Sequence, residues 1–118
     1  MNLEKLYQEM GGDMADAVRR LGSIATVERF LRMFAGDDTF AMLQAAMSAG
    51  DARLAFRAAH TLKGLAANLG LVQLGQAASA LTEALRGSDM QRASALYPET
   101  AAAYREACAA IGDLDTDA

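Results

Sequence analysis

The sequence predicts an all-α protein, an antiparallel up-down four-helix bundle with short additional helices at its N-terminus. Three observations predict it. The composition is rich in Ala and Leu, with seven Met, one Pro and no Trp among 118 residues, a mixture that favours helix. Apolar residues recur three and four apart in segment after segment, and no stretch alternates convincingly as a half-buried strand would. The segments are joined by very short turns punctuated by Gly, Asp and Ser, and such turns make neighbouring helices antiparallel.

In chain order, Asn2 caps a first short helix through Met10, with Leu3, Leu6, Tyr7 and Met10 on one side. Gly11-Gly12 breaks it, Asp13 caps a second segment from Met14 to Leu21, and Gly22 ends that one. Residues 1–22 are therefore expected to form a helical lid across one end of a bundle spanning residues 23–112. A partner-specific recognition arm is the other reading of these two pieces, and packing is preferred. Ser23 caps Ile24–Ala35, where Ile24, Val27, Phe30, Leu31 and Phe34 have core spacing. Gly36-Asp37-Asp38 interrupts and re-caps, and Thr39–Ala49 carries on with Phe40, Leu43, Ala46 and Met47. Two helices or one kinked helix both satisfy that pattern.

Gly50-Asp51 turns into the stretch Asp51–Gly70, considered below. Beyond it, Leu71–Arg86 carries Leu71, Leu74, Ala78, Leu81 and Leu85 as the seam of a helical hairpin. Ala77, Ala80 and Ala84 beside that seam permit close approach. Gly87 closes the helix, and Ser88 with Gln91 has capping-box spacing for the last one. The inward stripe there is Ala93, Tyr97, Thr100, Tyr104, Ala107 and Ile111, with Pro98 expected to kink the helix or leave a carbonyl unpaired. From Gly112 the chain turns acidic, and residues 113–118 are expected to be a frayed tail.

Asp51–Gly70, DARLAFRAAHTLKGLAANLG, organises the rest. Asp51 is a good N-cap and Gly70 a good residue just past the C-terminus. On a helical wheel, Leu54, Ala55, Ala58, Ala59, Leu62, Leu65, Ala66 and Leu69 fall on one wide apolar face. The opposite face carries Arg53, Phe56, Arg57, His60, Lys63, Gly64 and Ala67, with Thr61 and Asn68 on its borders. The only histidine thus points away from the core. Lys63 and Gly64 lie at i+3 and i+4 from it, hence beside the imidazole. A mid-helix Gly costs roughly 1 kcal/mol relative to Ala, and it leaves bare backbone next to a nucleophile and a cation. That chemistry suits an exposed imidazole that carries a phosphoryl group, with Lys63 as a point charge for the oxygens and Gly64 as clearance. An ordinary surface His/Lys pair is the plain alternative, since the spacing alone is common.

Ala59–Gly64, AHTLKG, followed by Ala66-Ala67-Asn68-Leu69-Gly70 and a second amphipathic helix, resembles the signature of histidine-containing phosphotransfer (HPt) domains. The likeness extends from about Ile24 to Ile111. It implies a helical bundle in which His60 accepts phosphate from, or returns it to, the aspartyl-phosphate of a receiver domain. It also implies Lys63 as the neutralising cation and Gly64 as the clearance residue. Many relatives place Gln or Glu on the second helix to orient the histidine ring. The matching place here is Thr82, with Glu83 adjacent, and either is a candidate for that role. Phe56, Arg57, Ala67 and Asn68 are the candidate docking residues for a receiver domain. Arg53 and Arg57 read equally as solubilising charges or as steering for an acidic partner, and Asn68 also reads as a plain helix edge.

The rest of the chemistry is narrowed by elimination. A chain of this length is one domain, able to bury a core without staples. The lone Cys108 excludes an internal disulfide and a Cys-based zinc site, and fits a reducing cytoplasm. No basic-then-apolar leader and no apolar run of about 20 residues is present, so no membrane anchoring is expected. A net charge of −4 argues against generic nucleic-acid binding. One histidine cannot build a multi-histidine metal site, and no nucleophile elbow, P-loop or dinucleotide fingerprint is visible. The expectation is a monomeric phosphocarrier without independent turnover or cofactor, relaying phosphate between receiver domains of response regulators or hybrid histidine kinases, with magnesium on the partner's carboxylate site. Two rivals remain: a non-phosphorylated helical adaptor for a receiver or kinase domain, and a phosphocarrier of the sugar-transport kind, against which the motif spacing argues.

Overall fold

The computed structural model describes residues 1–115, which form seven helices: α1 Leu3–Met10, α2 Met14–Leu21, α3 Ile24–Ala35, α4 Thr39–Ala49, α5 Ala52–Asn68, α6 Val72–Arg86 and α7 Met90–Asp115. The four starts read from local chemistry are made as expected. Side-chain oxygens of Asn2, Asp13, Ser23 and Asp51 accept the N–H groups of Lys5, Asp16, Thr26 and Leu54. The Gly36–Asp38 break separates two helices, and Asp37 rather than Asp38 caps the second, its Oδ1 accepting from Thr39 N at 2.7 Å. The last start differs from expectation. Ser88 takes a positive φ of 56°, so its side chain no longer faces the first turn, and Asp89 accepts from Arg92 N at 3.0 Å instead. That helix runs without interruption through Pro98 and on to Asp115, with Leu114 buried. The fraying expected from Gly112 therefore does not begin before Asp115, because Ile111 and Leu114 still pack on the core; residues 116–118 lie outside the described residues.

Helices α4 to α7 form the bundle. The α5/α6 hairpin is closely packed because its facing residues are small: Ala55, Ala59 and Ala66 on α5 and Ala78 on α6 are buried, and a Cβ added to Gly75 would lie 3.8 Å from that of Ala66. Leu62, Leu74 and Leu81 fill the seam and are fully enclosed. Rings bridge α4 and α7: Phe40 stacks on Tyr104 with centroids 4.2 Å apart and on Tyr97 at 6.1 Å. Phe34 of α3 meets Tyr104 edge-on at 5.7 Å. Two positions expected in the core are not there. Ile24 and Leu54 are half exposed, at 51% and 50%, because a periodic stripe marks a face without saying how much of it neighbouring helices cover.

The N-terminal helices pack against the bundle near the end of α5. The Tyr7 hydroxyl donates to Leu69 O at 2.6 Å in a buried contact, and Asp13 N donates to Gly70 O at 2.8 Å. Gly70 has φ 64° and closes α5 in a Schellman arrangement, with Gly70 N on Ala67 O and Leu71 N on Ala66 O. Any side chain there would also collide with the Asp13 carbonyl oxygen. So helix-end carbonyls that would otherwise need water are satisfied by the first 13 residues.

Candidate functional site

His60 stands in the middle of α5, exposed, one turn before Gly64 and beside the half-buried Lys63. Among the described residues its imidazole makes no hydrogen bond and no ion pair. Its ring stacks with Phe56, a turn earlier, the two planes nearly parallel at 14° with centroids 5.9 Å apart. A Cβ built on Gly64 meets nothing within 4 Å. The space beside the imidazole is thus open, and the glycine is not there to relieve crowding inside this chain. Arg53, Arg57, Ala67 and Asn68 are all exposed on the same helix. None of the fifteen acidic residues of this acidic protein lies on α5, so the histidine face is a basic strip bearing Arg53, Arg57 and Lys63.

Three sequence-derived placements change. Phe56 is not a freely exposed ring: it is half-buried against the core, with the Arg86 guanidinium 4.9 Å above its centroid. Thr82 is fully buried and donates its hydroxyl to Ala78 O at 2.6 Å. A threonine inside a helix has this carbonyl within reach one turn back, and a hydroxyl so engaged and so enclosed is not presented to His60. Glu83 is exposed and pairs with Arg86 at 3.0 Å. Among the described residues neither α6 candidate makes a hydrogen bond or ion pair with the histidine ring.

Two features escaped the sequence reading. Arg86 was not singled out, although counting outward about equally from the Leu69–Leu71 turn brings it level with Phe56. The second is an apolar groove of about 730 Å³ between α4 and α5, lined by Met42, Ala45 and Leu54 with Arg57 and Thr61 at its histidine side. Met42 is 59% exposed. Among the described residues no three potential metal ligands cluster, and no helix is long and apolar enough to cross a membrane.

An all-helical bundle that displays one unpaired imidazole on an acid-free face, with a cation and open backbone beside it, has the makings of a phosphohistidine carrier. The family model described as Hpt domain matches residues 26–113. The chain belongs to the Hpt domain family, whose members are phosphocarriers of two-component phosphorelays and interact with receiver domains. No curated protein and no solved structure gives a significant match.

Proposed function

We propose that this protein carries phosphate on His60 between receiver domains of a multistep two-component relay. The observation that carries the reading is the exposed imidazole, without a hydrogen bond among the described residues, flanked by Lys63 and by the open space at Gly64. In the forward step a ring nitrogen, expected to be Nε2, attacks phosphorus of the partner's aspartyl-phosphate. An N–P bond forms, the P–O bond to the carboxylate breaks, and its electron pair leaves with the carboxylate. Lys63, three residues on from the imidazole, supplies the charge that neutralises the phosphoryl oxygens. The partner's carboxylate site holds the magnesium ion, and this chain contributes no cofactor.

Docking rests on the basic strip of α5 and on the adjoining groove. Arg53 and Arg57 draw in the acidic phosphorylation site of a receiver, which raises the encounter rate, while Met42 and Leu54 offer apolar surface to the same partner. The protein acts as a cytoplasmic monomer that engages receivers in turn and no nucleic acid.

The test is transfer of labelled phosphate from a phosphorylated receiver domain to the wild-type protein and to His60→Gln. An acid-labile, base-stable label that requires His60 is the expected result. No label from any of a panel of receiver domains, with the helical fold intact, sinks the proposal and leaves the non-phosphorylated adaptor, for which the groove would be the binding surface.

A further inference from the structure

A ladder of side chains flanks the site. It runs from α6 to the imidazole. Glu83 Oε2 accepts from Arg86 Nε at 3.0 Å, the Arg86 guanidinium lies 4.9 Å from the centroid of Phe56, and Phe56 stacks on His60. These are the separations of a cation–π contact and of an offset aromatic pair. Three circumstances make the ladder consequential. No hydrogen bond among the described residues restrains the imidazole. The two α6 candidates for orienting the ring are committed elsewhere, Thr82 to Ala78 and Glu83 to Arg86. Phe56 is packed against the core and so offers a fixed surface.

We propose that Phe56, braced by Arg86, is the positioning residue for His60, setting the ring plane by stacking where no hydrogen bond does so. This rests on the phosphocarrier reading above. The physical difference from a hydrogen bond is specific. A hydrogen bond engages one ring nitrogen and selects a tautomer. Face contact holds the plane and leaves both in-plane nitrogen positions free, one to attack phosphorus and the other to keep or exchange its proton with water. Arg86 contributes in two ways: it covers the Phe56 ring, and its own geometry is held by Glu83. Misdirecting a reacting group by about 1 Å lowers rates by up to about a hundredfold, so a modest restraint on the ring is felt in the transfer step.

The experiment uses the full chain as Phe56→Leu, Phe56→Tyr and Arg86→Gln, each checked for native helicity. Proton NMR of the His60 ring reports the stack through the shielding that an aromatic face imposes. Transfer from a phosphorylated receiver domain, measured against receiver concentration, separates maximal rate from half-saturation. In Phe56→Leu the shielding is expected to vanish and the maximal rate to fall about tenfold, with half-saturation little changed. Phe56→Tyr restores both, and Arg86→Gln, on the exposed surface, shifts both part-way. Imidazole shifts identical in wild type and Phe56→Leu overturn the stack. A shift change without a rate change overturns positioning, and a change in half-saturation alone makes Phe56 a docking residue and overturns it too. An unlabelled wild type that still shows the shielding refutes the phosphocarrier reading rather than the stack.

Discussion

Replacing Gly64 by Ala separates the fold of this protein from its work. A methyl group at this position meets no atom within 4 Å beyond its own stretch of helix backbone, and Gly64 sits inside α5. Alanine therefore restores helix propensity with no steric penalty, a gain of about 0.8–1 kcal/mol. For a domain of this size that raises Tm by roughly 3–6 °C. On the proposed carrier role, the same methyl projects into the space that a phosphoryl group and a partner's loop would share. Overpacking of a close interface by one methyl costs about 1–3 kcal/mol, equivalent to a transfer rate lowered by about 5- to 150-fold. Thermal unfolding by circular dichroism and single-turnover transfer from a phosphorylated receiver read the two effects. Opposite signs are expected, a more stable protein that transfers more slowly. Unchanged transfer would refute the clearance role, and a lower Tm would refute the open space beside His60.

Three further outcomes are expected. Tyr7→Phe leaves Leu69 O without its donor and lowers unfolding free energy by about 1–3 kcal/mol in urea. Burial pushes the Tyr7 phenol from 10.0 up to about 12; its protonated form is the one folding favours, so its contribution is complete below pH 10 and disappears as pH rises towards 12. The Tyr7→Phe deficit is accordingly expected to shrink across that window, and a constant deficit would contradict a titrating buried phenol. Asp51→Ala removes the acceptor for Leu54 N and should destabilise by about 0.5–2 kcal/mol, with no change in His60 labelling per folded molecule. Leu54→Ala changes a half-exposed side chain, so stability stays within about 0.5 kcal/mol; if the α4/α5 groove docks the receiver, affinity measured by calorimetry falls about fivefold or more.

Much of this protein was legible because its signals are local. The caps at Asn2, Asp13, Ser23 and Asp51 act over three residues, and a periodic apolar stripe needs no knowledge of what covers it. The outward direction of His60 and its neighbourhood with Lys63 and Gly64 follow from helix periodicity alone, which is why the AHTLKG motif could be read before any fold was known. The local signal failed at Ser88, where a turn of a few residues required one of them to take a positive φ and moved the cap to Asp89.

What only the tertiary structure decided concerns pairs far apart in the chain. Leu54 lies on the face the wheel marks as apolar yet is half exposed, because coverage depends on the spacing of α4 and α5. Thr82 holds the α6 position that the resemblance to HPt domains assigns to orienting His60, but its hydroxyl turns to Ala78. Arg86 reaches Phe56, and Tyr7 reaches Leu69 across 62 residues. Amino-acid order determined the helices, their faces and the outward direction of His60, since those depend on contacts within a turn or two. The contact of Arg86 with Phe56, the groove beside His60 and the seal on the end of α5 depend on which helices meet and how closely, and packing alone sets that.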